Sequence, residues 1–253
     1  MRKKMKKTRS IRLWAVLFWL LLWQLGSMAL DQEILLVSPL QVLLRLGQLL
    51  MTGDFYGSVL FSLGRIASGF FLAILLGTGL AWLSSRFSVA AQFLAPFMLA
   101  VKSVPVASFI ILALIWFSSR NLSVLISFLM VLPVIYTNVL EGIGSLDPAM
   151  TEMAHVFSIP LSRRVRYIYL PQIYPFFQAA CQVCLGLCWK SGIAAEVIGI
   201  PDGSIGERLQ QAKVYLDTPD LFAWTLVIVL VSLAFEKLVL ALLKKGANLL
   251  ERM

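Results

Sequence analysis

The chain has 253 residues, of which 59% are hydrophobic and 14% are charged. This composition, with a mean hydropathy of +0.85, excludes an ordinary soluble globular domain and indicates that much of the protein surface contacts lipid. The net charge of +9 could favour nucleic acid, but the basic residues flank apolar segments, so we predict membrane lipid and no nucleic acid as the partner.

Apolar runs that are long enough to cross about 30 Å of hydrocarbon recur along the chain. We predict an all-α, polytopic membrane protein with one transmembrane domain over residues 1–253. The third run contains Pro96 and Pro105, which remove backbone donors, so we expect a kink or a break there. The six predicted transmembrane helices lie at about 11–30, 57–83, 89–118, 122–140, 173–199 and 222–243.

The basic residues that precede the first span determine the predicted orientation. Because Lys and Arg are enriched in cytoplasmic segments of membrane proteins, both termini are predicted to be cytoplasmic. A cleavable signal peptide is the alternative, since the first apolar run ends in Ser27-Met28-Ala29. We favour a retained helix, because the run is long for a signal core and rich in Trp. The basic residues are Arg2, Lys3, Lys4, Lys6, Lys7, Arg9 and Arg12.

Residues 31–56 form the first predicted external connection. Leucines recur within it at helical spacing, which indicates a short amphipathic helix. This helix could lie in the membrane interface or pack under the helical bundle, and the pattern favours neither. The leucines are Leu40, Leu43, Leu44, Leu46, Leu49 and Leu50.

The longest polar interruption on the predicted cytoplasmic side covers residues 142–172. Asp147 can cap the first amides of a helix and Pro148 suits its first position, so a short helix is predicted from Pro148 to about Phe157. Such a helix is too short to be stable alone in water and needs a partner surface or the membrane face. It is either a docking element or a loop helix beside arginines that rest on anionic headgroups. Those arginines are Arg163, Arg164 and Arg166.

Three cysteines, Cys181, Cys184 and Cys188, share one face of the fifth predicted span. They could hold a soft metal ion, but no fourth ligand is near them in the sequence. Packing of small side chains against a neighbouring helix explains the stripe more simply, so we predict neither a metal site nor a disulfide.

The segment around the predicted short helix carries a motif. Glu152-Met153-Ala154, Ser158 and Ile168-Tyr169-Leu170-Pro171 resemble the hallmark E-A-A, three residues, G, nine residues, I-x-L-P of binding-protein-dependent ABC importer permeases. The spacing is kept throughout, while Met153 and Ser158 replace the second motif residue and the glycine. Because Ser tolerates a positive φ poorly, the turn at Ser158 is expected either to differ from the family's turn or to be strained.

Further segments resemble the nitrate, sulfonate and taurine branch of these permeases, and the resemblance covers about residues 57–240. It implies the type I ABC importer permease fold, in which residues 147–158 would be the cytoplasmic coupling helix. The segments are Ser62-Leu63-Gly64-Arg65 with Gly69-Phe70, Lys102-Ser103-Val104-Pro105, Leu114-Ile115-Trp116-Phe117, Trp189-Lys190, Ala194-Ala195-Glu196 and Ile198-Gly199.

The resemblance implies the permease subunit of an ATP-driven importer, which carries a small anionic solute such as a sulfonate, nitrate or a taurine-like compound. Two copies would form a homodimer in the cell membrane, with separate ABC ATPase subunits that bind ATP and Mg and with an extracytoplasmic substrate-binding protein. The chain itself is expected to hold no cofactor and not to be an enzyme, since Lys190-Ser191 lacks the glycines of a nucleotide-binding loop. The residues that would dock the ATPase are Asp147, Glu152, Ala154, His155, Ser158, Leu170 and Pro171.

The lone histidine, His155, has two interpretations. It could sense pH, but a polar contact with the partner is the simpler interpretation. The connection from Gly199 to Phe222 is polar and charged. It could form a gate, contact the binding protein, or be a plain solvated connection.

Four of the charged residues in the predicted spans, where charge is costly, are candidates for a translocation path. They could pair, Lys190 with Glu196 or Glu196 with Arg65, or they could line a positive translocation path for an anion. The same charges would form the relay of an ion-coupled secondary transporter, which is the alternative function, and a membrane scaffold or sensor is a third. The kept spacing of the motif favours the importer subunit. The four residues are Arg65, Lys102, Lys190 and Glu196.

Overall fold

Helices account for most of the described chain. The computed structural model describes residues 13–30, 32 and 34–251, apart from the side chains of residues 13 and 249–251. Within these residues it contains α-helices, one π-helical turn and no β-strand, which confirms the all-α class. The helices are α1 (Leu13–Leu30), α2 (Pro39–Leu49), α3 (Gly53–Arg86), α4 (Ser88–Ser103), α5 (Val106–Ala113), α6 (Ser119–Gly144), α7 (Pro148–Val156), α8 (Leu161–Arg164), the π-helical turn (Val165–Tyr169), α9 (Leu170–Gly199), α10 (Ile205–Val214) and α11 (Thr218–Glu251).

Four helical segments of the described chain are long and apolar enough to cross a membrane. They are α3, α6, the segment Leu161–Gly199 that ends with α9, and Thr218–Asn248 within α11. Helices α4 and α5 pass the same test as a pair, which raises the number to as many as five. α1 is a shorter apolar helix, so the sixth span stays a prediction. The basic residues from Arg2 to Arg12 lie outside the described residues, so the orientation also stays a prediction.

The predicted irregularity in the third apolar run is confirmed. α4 and α5 meet at an angle of 105° across a break at residues 104 and 105. Val104 is extended, with ψ 131°, because the ring of Pro105 disfavours the helical conformation in the preceding residue. Pro96 lies inside α4 without ending it. The broken pair therefore places irregular backbone in a segment that is apolar enough for the membrane.

The centre of the bundle is formed by α3, α6 and α9, which pack closely through small side chains. A Cβ atom on Gly69 of α3 would lie 2.5 Å from the carbonyl oxygen of Val124 on α6. A Cβ atom on Gly192 of α9 would lie 2.6 Å from Ser127 Oγ on α6. Both distances are far below van der Waals contact, so the three helices can reach this spacing because these positions lack a side chain. The buried cysteines Cys181, Cys184 and Cys188 belong to the same core, which supports the packing interpretation.

The predicted amphipathic helix in the first connection is present as α2. Its N-terminus is capped by reciprocal hydrogen bonds between Ser38 and Gln41, which form a capping box. Val42 and Leu49 are buried. Arg45 Nε donates to Asp220 Oδ1 of α11 at 2.6 Å, and this hydrogen bond raises the pKa of Arg45 above its ordinary value. One face of α2 thus packs on α11. Its opposite face is exposed and apolar, with Leu40, Leu43 and Leu44 among the exposed side chains.

The first helix, α1, is attached near its C-terminal end. Trp23 Nε1 donates to the carbonyl oxygen of Val37 at 3.0 Å, and Ser27 Oγ donates to that of Leu36 at 3.0 Å. The indole of Trp23 also lies 5.7 Å from the ring of Phe222, centroid to centroid. Most other side chains of α1 are exposed. This helix therefore contributes little to the central core.

Candidate functional site

The first candidate site is α7, the short helix that carries the motif. Asp147 Oδ1 accepts a hydrogen bond from the backbone N–H of Ala149 at 2.9 Å, and Pro148 occupies the first helical position. Both residues therefore act as the sequence predicts, by satisfying or removing amides that would otherwise lack a partner. The predicted helix from Pro148 to about Phe157 is confirmed by the observed Pro148–Val156.

Ser158 ends α7 in the left-handed conformation that the motif glycine would adopt. Its φ is +48°, its N–H donates to the carbonyl oxygen of His155 at 3.0 Å, and the N–H of Ile159 donates to that of Ala154 at 3.0 Å. These two bonds make a Schellman motif with Ser158 in the position that is usually glycine. Of the two expectations for this turn, the structure shows the strained one, because the left-handed turn is kept with a residue that has a Cβ.

Hydrogen bonds from the neighbouring helices hold α7 in place. The backbone N–H of Asp147 donates to Gln172 Oε1 on α9 at 3.0 Å. Arg164 Nε donates to the carbonyl oxygen of Ile159 at 2.7 Å, and its Nη1 lies 3.2 Å from Nε2 of His155. Leu170 and Pro171 form the first turn of α9, next to Gln172. Sequence reasoning missed Gln172, which no motif marks and which acts through a contact 25 positions away.

α7 exposes an apolar surface. Val156 is 79% exposed and Phe157 is 73% exposed, while Ala154 is completely buried. A cavity of about 460 Å³ opens beside the helix, and Met153 and Tyr167 are among the residues that line it. Large apolar side chains at this exposure, next to a cavity, are typical of a surface that another protein covers. Glu152 and His155 are exposed on the same helix.

The second candidate site is the set of charges in the spans, which form no ion pair with one another within 4.0 Å. Arg65 Nη1 donates to Asn121 Oδ1 at 3.0 Å, and its guanidinium lies 4.6 Å from the centre of the Phe61 ring. Lys102 Nζ donates to Thr137 Oγ1 at 3.3 Å. Lys102 and Lys190 are exposed on the bundle, and Arg65 is half-buried.

Glu196, in contrast, is completely buried and binds α10. Its Oε2 accepts from Ser62 Oγ at 2.6 Å and from the backbone N–H of Gly206 at 3.4 Å. Ser62 Oγ in turn accepts from the N–H of Ile205 at 3.0 Å. We call Ser62, Glu196 and these two amides the Glu196 cluster. A carboxylate at the N-terminus of a helix is stabilised by the free amides and by the helix dipole, so the cluster joins α3, α9 and α10.

Direct pairing, one of the two alternatives for the intramembrane charges, is not observed within 4.0 Å among the described residues. The two ion pairs within 4.0 Å among the described residues are Arg45 with Asp220 and Arg208 with Asp54. Glu196 therefore pairs with neither Lys190 nor Arg65. The residues that bind its carboxylate could not be chosen from the sequence, because Ser62 is 134 positions away.

The connection from Gly199 to Phe222 is largely ordered by α10. Ser204 Oγ accepts from the N–H of Glu207 at 2.9 Å, and Arg208 Nη2 lies 3.4 Å from Asp54 Oδ2 at the start of α3. A cavity of about 390 Å³ lies between α10 and the first turns of α3 and α11. Positively and negatively charged side chains both line it. The plain solvated connection that was one of the alternatives does not describe this segment.

The model of the family "Binding-protein-dependent transport system inner membrane component" matches residues 69–245 of this chain. The matched region runs from the middle of α3 to α11 and includes α7. The chain belongs to this family. It is a multi-pass component of an inner-membrane transport system, and the prediction of a permease is confirmed.

Several named permeases are similar to this chain over most of its length. A probable ABC transporter permease protein of Brucella melitensis is 26% identical over 224 residues, which cover 88% of each chain. The putative aliphatic sulfonates transport permease protein of Bacillus subtilis is 25% identical, covering 88% of this chain and 82% of the relative. The taurine transport system permease protein of Escherichia coli is 25% identical, covering 85% and 80%. The predicted resemblance to the nitrate, sulfonate and taurine branch is thus confirmed.

Proposed function

We propose that this chain forms the membrane path of an ATP-driven importer for a small anionic solute such as a sulfonate, nitrate or a taurine-like compound. Membership of the permease family supports the role in transport. The names of the sulfonate, taurine and nitrate relatives support the class of solute. Two copies of the chain would assemble with two ATPase subunits, and an extracytoplasmic binding protein would deliver the solute.

The observation that carries this proposal is the exposed apolar surface of α7. A helix of nine residues is about 13 Å long and has too few hydrogen bonds to be stable by itself in water. It leaves Val156 and Phe157 largely exposed. A groove on a cytoplasmic ATPase would bury these side chains, and movement of that ATPase during hydrolysis would be transmitted to α9 through Gln172 and Arg164.

The exposed cations support a water-filled path. A Lys or Arg at the centre of a lipid bilayer costs about 2.5–3.5 kcal/mol on insertion scales, so Lys102 and Lys190 should face water or a second copy of the chain. Lys102 lies just before the break at Pro105, where Ser103 and Pro105 are exposed. Irregular backbone at membrane depth is tolerated where it lines a cavity or is buried in protein. The buried Glu196 is better suited to holding α10 than to contacting solute.

The docking claim is tested by changing the exposed apolar residues of α7. Val156→Asp and Phe157→Asp should lower the amount of ATPase subunit that copurifies in mild detergent by about tenfold, because a charge would replace an apolar anchor. Val214→Asp is the matched control, since Val214 is an exposed valine on the other short helix, α10. Unchanged copurification of the two α7 variants would remove the docking role.

Uptake in vesicles separates this function from an ion-coupled transporter. The importer should take up solute when ATP is held constant and an uncoupler is present, since the energy comes from hydrolysis. Uptake that the uncoupler abolishes under these conditions would instead favour the relay of intramembrane charges.

A further inference from the structure

A cavity of about 320 Å³ lies between α9 and α11, within the parts of both helices that are apolar enough to span a membrane. Its size is at the lower end of the range found for small-molecule sites in proteins. Leu185, Ile193, Ile228 and Val229 form the aliphatic part of its walls. The polar side chains that line it are those of Trp189, Lys190, Ser232 and Glu236.

The cavity holds one positive and one negative side chain that do not neutralise each other. Lys190 and Glu236 form no ion pair within 4.0 Å, and neither has a hydrogen-bond partner among the described residues. Charges at membrane depth are costly unless they are paired or solvated. The two helices are neighbours, so a direct pair would be the simplest way to remove that cost. The structure instead leaves both charges beside a cavity.

Two neutral polar groups accompany the charges. Trp189 is 2% exposed, and its Nε1–H is buried without a hydrogen-bond partner. Buried donors are nearly always paired, so an unpaired indole N–H beside a cavity points to a missing acceptor. Ser232 Oγ donates to the carbonyl oxygen of Val229 at 2.9 Å, which leaves its own lone pairs free to accept.

We propose that this cavity binds a small molecule carrying both an acidic oxyanion group and an ammonium group. Lys190 and the indole N–H of Trp189 would bind the oxyanion, and Glu236 and Ser232 Oγ would bind the ammonium. A simple anion would leave Glu236 without a partner, and a simple cation would leave Lys190 without one. This inference rests on the proposed function, because it narrows the anionic solute to a zwitterionic one that this part of the path accepts.

Calorimetry on the purified transporter complex in phosphatidylglycerol nanodiscs tests the class of ligand. The probes are 2-aminoethanesulfonate, ethanesulfonate, which lacks the ammonium, and ethylammonium, which lacks the acid. The zwitterion should bind at least about tenfold more tightly than either single-charge probe, since it alone satisfies both side chains. Ethanesulfonate binding as tightly as 2-aminoethanesulfonate, or no binding of the zwitterion, would overturn the inference.

Two substitutions assign the binding to the two charges. Glu236→Gln should weaken 2-aminoethanesulfonate by about tenfold while changing ethanesulfonate by less than about twofold, and Lys190→Met should weaken both. Lys237→Met is the control, because Lys237 is the next residue on α11 and does not line the cavity. An equal effect of the control, or no effect of Glu236→Gln, contradicts the assignment.

Gly186 allows a test that keeps both charges. It lines the cavity, and a Cβ atom placed on it has no neighbour within 4 Å, so the larger side chain of Gly186→Leu has open space to enter and should fill the cavity. This variant should abolish binding of 2-aminoethanesulfonate, whereas Gly186→Ala should retain it. Binding that survives in Gly186→Leu would place the ligand elsewhere and defeat the inference.

The same chemistry could come from a lipid, because the phosphoethanolamine headgroup also carries an oxyanion and an ammonium. Nanodiscs of phosphatidylethanolamine separate the two sources. A free solute should bind equally in both lipids, whereas a loss of 2-aminoethanesulfonate binding in phosphatidylethanolamine would assign the cavity to the headgroup and not to a solute. The proposed function fails separately, by loss of ATP-driven uptake or of the ATPase partner, and neither depends on these binding constants.

Discussion

The two short helices α7 and α10 are similar in length and differ in what holds them. α7 is capped by residues within or next to it, Asp147 at its start and Ser158 at its end. α10 is also capped locally by Ser204, but its first amides are bound by Ser62 and Glu196 from two long helices. α7 keeps an exposed apolar surface, whereas the start of α10 is buried in the bundle.

This difference indicates two mechanical roles. A helix that is capped by local residues, and that is hydrogen-bonded to its neighbours near its ends, can bind a partner without disrupting the core of the bundle. A helix whose N-terminus is bound to a buried carboxylate must move together with the helices that supply it. We therefore expect α7 to move independently of the core helices and α10 to move rigidly together with α3 and α9.

The largest effect is expected at Gly206, where α10 meets Glu196. A Cβ atom at this position would overlap the Cβ and carbonyl carbon of Glu196, so Gly206→Ala should separate the two helices at a cost of about 3 kcal/mol. Thermal unfolding in detergent should show a lowered midpoint. Gly186→Ala is the matched control, because its added Cβ meets no atom within 4 Å. Equal midpoints for the two variants would show that the contact is not tight.

The next effect concerns the carboxylate itself. Glu196→Ala leaves the N–H of Gly206 and the hydroxyl of Ser62 without their partner in a buried place, which should cost about 2 kcal/mol. Hydrogen exchange should become faster in α10 and stay unchanged in α7. Faster exchange in both helices would remove the distinction between them.

A double-mutant cycle shows whether the Glu196 cluster acts as a unit. Ser62→Ala combined with Glu196→Ala should cost less than the sum of the single changes, because each one already breaks the bond between them. Additive costs would mean that the two residues stabilise α10 independently.

The smallest effect is expected at the end of α7. Ser158→Gly should stabilise the turn by about 0.5–1 kcal/mol, because glycine adopts the φ of +48° without strain. Hydrogen exchange of residues 154–160 measures this directly. Ser162→Gly is the control, since Ser162 lies in α8 with helical backbone, where glycine destabilises. Slower exchange in the control than in Ser158→Gly would contradict a strained turn.

Helix geometry alone excludes one of the two pairings that were considered for Glu196. Lys190 and Glu196 are six positions apart on one helix, which directs their side chains about 120° apart around the axis. They therefore cannot face one another, whatever the rest of the fold does. The pairing of Glu196 with Arg65 has no such local objection, and packing alone decided against it.

The amino-acid sequence by itself determined the features that depend on near neighbours. The apolar runs predict the long helices, Pro105 breaks the third run through its own ring, and Asp147 with Pro148 starts α7. The motif spacing was sufficient to indicate the permease family, which the match over residues 69–245 confirms. These features are local because caps, breaks and apolar periodicity act within one or two helical turns.

Tertiary structure alone decided which distant groups meet. Ser62 and Glu196 are 134 positions apart, and Arg45 and Asp220 are 175 positions apart. Lys190, which pairs with no other described residue, lines a cavity with Glu236, a residue that no motif marks. A helix presents each side chain in a direction that its sequence predicts, but the partner in that direction depends on how the helices pack. Here that packing is determined by small residues such as Gly69 and Gly192, which let α3, α6 and α9 approach closely.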